Sequence, residues 1–386
     1  MSRTIFPVKA PGLSAHADEI SHCARCPKLC RHTCPVADAE GRETVTPWAL
    51  MSALYMRDKG LDALSGPDSA LVYHCSDCRA CQGACTFHND VPGALHAYRA
   101  LAFERGDAPE GAVKMADELR DRGTLGTGGP EVIRRAVPEA RRRPNARELI
   151  WMDCMTSTHF PDIAGDLETI LEALDLREVG FYMGEVACCG LPLYQAGDHR
   201  GLRAHIEAVL SRIGWLRRVY VTSPECAHFM REVYPAFGFE VGVRIRPFLD
   251  LVHAHLDALP RRPASSKRYA FHQPCAVARG LGRSKEMLEV ISRAIGGAPR
   301  EPFLHGPRTS CSGGGGGLAA ILPEVAGRVT RRCLDALALE AGETLITACS
   351  AGRHRFEEEG VEREGGIATV DWISLVAACL SEDASS

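Results

Sequence analysis

Two short stretches of the chain each hold four cysteines within about a dozen residues: Cys23-x2-Cys26-x3-Cys30-x3-Cys34-Pro35 and Cys75-x2-Cys78-x2-Cys81-x3-Cys85-Thr86. Thiols two or three residues apart are poorly placed to bond one another and well placed to converge on one metal centre. The chain has 17 cysteines in 386 residues, so a disulfide scaffold is the first alternative. Such scaffolds belong to small secreted chains that cannot build a core. This chain is long and 45% hydrophobic, and Met1-Ser2-Arg3-Thr4-Ile5-Phe6-Pro7 has no stretch resembling a secretory leader. The grouping therefore points to metal. Paired four-cysteine zinc sites also use C-x2-C pairs, but they rarely crowd four cysteines into so short a span twice over.

The second run has the C-x2-C-x2-C-x3-C spacing of bacterial two-cluster ferredoxins, and the first differs from it by one inserted residue. Three cysteines of such a loop wrap one cube, and the fourth ligates the other cube. The spacing thus assigns one [4Fe-4S] cluster to Cys23, Cys26, Cys30 and Cys85, and a second to Cys75, Cys78, Cys81 and Cys34. Crossing ties the runs together and brings the clusters close enough for fast electron exchange. The inserted residue widens the first loop, and Thr86 stands where proline is usual. Arg25, Lys28, Arg31 and Arg79 lie inside the runs. They either stabilise an anionic cluster, form a solvated basic surface, or dock an acidic electron partner. His74 and His88 flank the second run as hydrogen-bond tuners or surface neighbours. Helices are expected over residues 46–64 and 91–103, which makes this module mainly α-helical.

Those runs need a body to serve. Residues 121–146 are rich in Gly, Pro and Arg and read as a linker with one short helix. Apolar strands then alternate with amphipathic helices. Strands are expected at 149–152, 179–183 and 219–222, with helices at 167–174 and 202–213. The pattern repeats with strands at 269–272 and 344–347 and helices at 285–294 and 322–339, Pro323 being tolerated in a first turn. Residues 247–252 echo 370–376. Such alternation indicates parallel sheets covered by helices. Cysteines fall at the carboxyl ends of the strands, where open α/β sheets place their sites: Cys154, Cys188-Cys189-Gly190 and Cys226, then Cys275, Cys311-Ser312-Gly313 and Cys349.

This repeat resembles the CCG domain, a cysteine-rich domain named for Cys-Cys-Gly. Over residues 20–376 the chain is similar to a family of iron–sulfur electron-transfer proteins. That family contains the B and C subunits of heterodisulfide reductase, the iron–sulfur subunit of glycolate oxidase and the C subunit of anaerobic glycerol-3-phosphate dehydrogenase. Its motif is a lone Cys, then Cys-Cys-Gly, then Cys-x-x-Cys. The first repeat matches at Cys154, Cys188, Cys189 and Cys226, with Ser223 in place of cysteine. The second matches at Cys275, Cys311 and Cys349, with Ser312 and Gly352 replacing the other two. Four thiolates suffice for a third [4Fe-4S] cluster or for a zinc ion. Three leave a cluster one ligand short unless His272 or a partner completes it. Gly313 to Gly317 either wrap a buried centre or form a flexible loop. Cys333 and Cys379 read as packing residues.

The expected fold class is α+β multidomain: a helical two-cluster module over 1–120, a linker over 121–146, and duplicated α/β CCG domains over 147–262 and 263–386. A net charge of −4 argues against nucleic-acid binding, and no apolar run approaches the length of a membrane span. The expected location is cytoplasmic, with any membrane contact made through partners. No nucleophile–base pair and no flavin or nicotinamide motif is present, so catalysis on an organic substrate is expected elsewhere. The resemblance implies an electron-transfer subunit without catalytic residues of its own. It would accept electrons from a flavoprotein dehydrogenase or demethylase and pass them to a quinone, an electron-transfer flavoprotein or another carrier. The alternative is a catalytic subunit resembling heterodisulfide reductase, acting at the CCG domains.

Overall fold

The computed structural model describes residue 6 and residues 8–61, 64–143, 145–262, 267–361, 363 and 366–383. Residues 1–5 and 7, searched above for a leader, lie outside the described residues. So do 62 and 63 in the first expected helix, 144 in the expected linker, and 263–266 and 384–386 at the bounds of the last domain.

The N-terminal part is helical. Thr46 caps the helix Pro47–Asp58 by accepting the Ala49 N–H at 3.2 Å, and Pro47 occupies the first turn, where its missing N–H costs nothing. The helix ends earlier than expected. Gly60 turns left-handed at φ +81°, and the Leu61 N–H returns to the Met56 carbonyl at 3.0 Å. The helix Val91–Arg105 starts on Asp90, whose side chain accepts the Gly93 N–H, and ends at left-handed Gly106. It is enclosed on most sides, with Leu95, Tyr98, Arg99 and Ala102 all buried.

Two parallel sheets follow. The first comprises β1 (Glu148–Trp151), β2 (Gly180–Phe181), β3 (Arg218–Val221) and β4 (Arg244–Pro247), in the order β2-β1-β3-β4. Leu149 pairs with Gly180, Trp151 with Val221, and Val221 with Pro247. The second comprises β5 (Arg268–His272), β6 (Glu343–Thr347) and β7 (Ala368–Asp371), in that order. Arg300 bridges Ala270 beyond β5, at the place that β2 occupies beside β1. The echoing segments are strand-to-helix turns: β4 runs into the helix Phe248–Ala254, and β7 into Trp372–Asp383. Phe248 and Trp372 meet with ring centroids 5.9 Å apart, in one core that also takes Ile150, Phe271 and Ile346. The two sheets share that core.

Residues 121–146 contain the expected short helix, Pro130–Ala136. Ile133, Val137 and Arg141 from this stretch are buried, and the Arg141 guanidinium bonds Glu168 and the Leu176 carbonyl. The stretch is packed onto the first sheet. Among the described residues, no helix is long and apolar enough to cross a membrane.

Candidate metal centres

The two N-terminal runs fold over each other. Cys23 and Cys30 lie within electrostatic reach of each other and of Cys26 and Cys85, while Cys34 lies within reach of Cys78 and Cys81 and also of Cys30. The two runs thus bring their cysteines into one neighbourhood, an outer set of Cys23, Cys26, Cys30 and Cys85 and an inner one of Cys34, Cys75, Cys78 and Cys81, in reach of each other across Cys30 and Cys34. The loops bend sharply: Lys28, Asp77 and Arg79 adopt left-handed φ of +69°, +55° and +58°, conformations that cost a non-glycine residue energy and persist only where the surroundings impose them. The eight N-terminal cysteines are free thiols. Burial, then crowding by neighbouring thiols, pushes Cys23 and Cys30 up to about 11 and Cys34 up to about 12. Ionising four such thiols together requires a cationic centre among them. Polar hydrogens already point at the sulfurs: Asn89 Nδ2 donates to Cys23 Sγ at 3.2 Å, and Ala37 N to Cys34 Sγ at 3.5 Å. This donor set fits an iron–sulfur group.

The basic residues of the runs behave differently from one another. Arg31 pairs with Glu43, Lys28 lies 3.7 Å from the Trp48 ring centre, and Arg79 bonds the Phe6 carbonyl. His74 and His88 bond the carbonyls of Ala70 and Gln82. Two arginines outside the runs reach them, and sequence reasoning missed both. Arg99 donates to the carbonyls of Cys75, Val72, Gln195 and Gly316, and Arg279 to that of Cys78. The available signal was an arginine within an otherwise apolar helix and another four residues after Cys275.

The third group stands at the carboxyl ends of the first sheet. Cys154 opens the helix after β1, Cys188 and Cys189 follow β2, and Cys226 lies in the first turn after β3. All four are buried, and Cys154 Sγ is 3.7 Å from Cys188 Sγ. Hydrogen bonds from Cys154 and Cys189 push the Cys188 thiol well down while those two partners are pushed up. Tyr234 Oη donates to the Cys189 carbonyl at 2.6 Å and fixes the loop. Ser223 caps the following helix, accepting the Cys226 N–H at 3.3 Å. An edge of 3.7 Å is close to the ~3.8 Å that 2.3 Å zinc–sulfur bonds imply. Among the described residues, however, no three His, Cys, Asp or Glu side chains are grouped to hold a single ion.

The three cysteines of the second sheet divide their attention. Cys311 is in contact with Cys275 and with Cys78 of the inner set. Cys349 lines a cavity of about 140 Å³, across from Cys154, Cys188, Cys189 and Cys226. A Cβ added at Gly352 would sit 3.0 Å from Ser312 Oγ, so the two non-cysteine positions of the motif fill each other's space. His272 bonds the Ser310 carbonyl at 3.1 Å. The glycine run packs hard on the inner cysteines: a Cβ at Gly315 would lie 2.6 Å from the Ser76 carbonyl oxygen, and one at Gly316 would collide with that of Cys75. Cys333 and Cys379 are buried in separate cores.

Comparison with known proteins agrees with this geometry. Residues 19–89 match the 4Fe-4S dicluster domain, and residues 269–354 match the cysteine-rich domain CCG. The chain is 24% identical over 367 residues to the B subunit of fumarate reductase (CoM/CoB) of Methanothermobacter marburgensis, covering 92% of this chain and 71% of that one. It is 23% identical to the D subunit of dihydromethanophenazine:CoB–CoM heterodisulfide reductase of Methanosarcina mazei, covering 94% of each. Lactate utilization protein A 2 of Bacillus cereus is 22% identical over 46% of this chain and 75% of its own length. With a match to the 4Fe-4S dicluster domain ahead of a match to the cysteine-rich domain, the chain is similar to the CCG-domain iron–sulfur proteins.

Proposed function

We propose that the chain is an electron-transfer subunit with two [4Fe-4S] clusters, one on Cys23, Cys26, Cys30 and Cys85 and one on Cys75, Cys78, Cys81 and Cys34. It receives electrons singly from a flavoprotein partner and passes them inward. The observation that carries this is continuity: the inner set is clasped by the glycine run and Arg99 and touches Cys311 through Cys78. Bound clusters would supply reversible one-electron chemistry. The chain's residues hold them, exclude water from the inner set, and fix the spacing between sets. Two further assignments belong to this reading. The first is a duplicated CCG architecture over 147–262 and 263–386 after a module over 1–120, supported by the matching strand order of the sheets. The second is a third [4Fe-4S] cluster on Cys154, Cys188, Cys189 and Cys226. Final acceptors of the class quinone or electron-transfer flavoprotein fit a chain whose sequence carries no recognised flavin motif. Anaerobic isolation from the native host tests the reading: a flavoprotein co-purifies, and the EPR signals of reduced clusters appear in the chain when that flavoprotein's organic substrate is added. A chain purified alone, with no electron uptake from any flavoprotein, overturns it.

A second reading has its own observation, the cavity of about 140 Å³ flanked by five cysteines. One relative is named as a subunit of a CoB–CoM heterodisulfide reductase. There the chain would catalyse thiol–disulfide interconversion, moving two electrons and two protons per disulfide. Cystamine as oxidant separates the readings. If the cavity is catalytic, cystamine drains the reduced chain rapidly and Cys349→Ser stops it; under the relay reading it drains the chain no faster than it does the Cys349→Ser variant.

A further inference from the structure

We propose that Arg279 is a positioning cation that makes the inner set, Cys75, Cys78, Cys81 and Cys34, the higher-potential of the two N-terminal sets. Electrons then collect beside the C-terminal cysteines. This deepens the electron-relay reading, on which it rests. Arg279 is 2% exposed and lies in the wide turn Ala276–Leu281 directly after Cys275. Its Nε donates to the Cys78 carbonyl, and its Nη1 to the carbonyls of Pro307 and Thr309 at 2.9 and 2.8 Å. Its Nη2 is buried without a partner. Among the described residues, no carboxylate hydrogen-bonds or ion-pairs with it. A guanidinium carries a fixed charge, and burying one unopposed is costly unless a negative group stands nearby. The four thiolates of the inner set, holding their iron, would be that group.

The comparison with the other cations singles Arg279 out. Arg99 is also fully buried on carbonyls, but the Asp77 carboxylate lies within its field and opposes it. Around the outer set, Arg25 and Arg31 are exposed, and Arg31 is neutralised by Glu43. Water and salt screen such charges, whereas a cation in a low-dielectric interior acts at nearly full strength. Adding an electron to the inner set is therefore favoured over adding it to the outer. Each transfer oxidises the outer set by one electron and reduces the inner by one, with no bond made and no proton moved.

Anaerobic potentiometric titration of the full chain, followed by EPR, tests this. In the Cys188→Ser background, which removes the third centre, the two N-terminal sets give two one-electron waves, and the variants below are compared in that background. In Arg279→Gln the higher wave falls by at least tenfold in its reduced-to-oxidised ratio at a fixed poise, which is 59 mV for a one-electron couple. The lower wave stays. Arg279→Lys keeps the higher wave within that margin, and so does Arg25→Gln. Should Arg279→Gln fail to retain iron, Gly83 offers a second handle, since a Cβ there lies 3.9 Å from Arg279 Cδ. Gly83→Glu then lowers the higher wave and Gly83→Gln does not. Unmoved waves, equal movement of both, or a Lys variant that falls as far as Gln overturns the assignment. A parent with fewer than about eight irons defeats the relay reading instead.

Discussion

Replacing Gly316 by alanine isolates the contact that joins the two halves of the molecule. Gly316 has φ +69°, and an added Cβ would strike the Cys75 carbonyl oxygen and lie 2.7 Å from Ser76 Cα. The left-handed conformation costs an alanine about 1–2 kcal/mol. Ordinary carbon contacts need about 3.5–4.0 Å, so the backbone must also retreat by about an ångström, an overpacking cost of about 1–3 kcal/mol. Together these destabilise the local closed state by about 2–5 kcal/mol. Gly60 is the control: its φ is +81°, but nothing lies within 4 Å of its Cβ position, so alanine there carries the conformational cost alone. Hydrogen exchange read by mass spectrometry reports local opening. In Gly316→Ala, peptides spanning residues 74–79 exchange about thirty-fold to a few thousand-fold faster. In Gly60→Ala these peptides keep the parental rate. Parental exchange at 74–79 in Gly316→Ala would refute the claim that the glycine run clamps the inner cysteines.

Other expectations follow from single residues. Asp153 accepts from Thr156 N and Ser350 Oγ on one oxygen and from Thr156 Oγ1 and Thr222 Oγ1 on the other. Asp153→Ala should cost about 3–5 kcal/mol in urea denaturation and Asp153→Asn less; equal losses would contradict the charge-assisted network. Arg141→Met strands Glu168 and the Leu176 carbonyl and should cost about 3 kcal/mol, whereas a true linker would show no change in the urea midpoint. Burial, with help from His96 and Arg203, pushes His199 down to about 3. The unfolded chain then takes up that proton first, near pH 6.5, so stability declines as pH falls from 6.5 towards 3. The loss at pH 5 is at most about 2 kcal/mol. His199→Gln should flatten the decline between pH 7 and 5, and an unchanged slope would discount this histidine.

Much of the architecture was legible because it is local. The cysteine spacings pointed to metal at the N-terminus, and the two runs fold into one neighbourhood. The strands at 149–152, 219–222, 269–272 and 344–347 each lie within a residue of their observed bounds, because short apolar runs between amphipathic helices have few alternatives. The first helix was drawn too long because apolar periodicity continued past Gly60. β4 was missed because Arg244-Ile245-Arg246-Pro247 offers too few apolar residues to stand out. Contacts between distant residues left no local trace. Arg99 meets the Gly316 carbonyl 217 positions away, and Arg279 meets Cys78 across 201. Ser223, Ser312 and Gly352 looked only like lost ligands. The structure gives Ser223 a capping hydrogen bond and shows Ser312 and Gly352 occupying shared space.

Iron and acid-labile sulfide counted per anaerobically isolated chain test the account most directly. About twelve irons are expected, of which about eight remain in the Cys188→Ser variant, with EPR signals of two interacting four-iron centres. A colourless, iron-free chain that takes up no electrons from dithionite contradicts it.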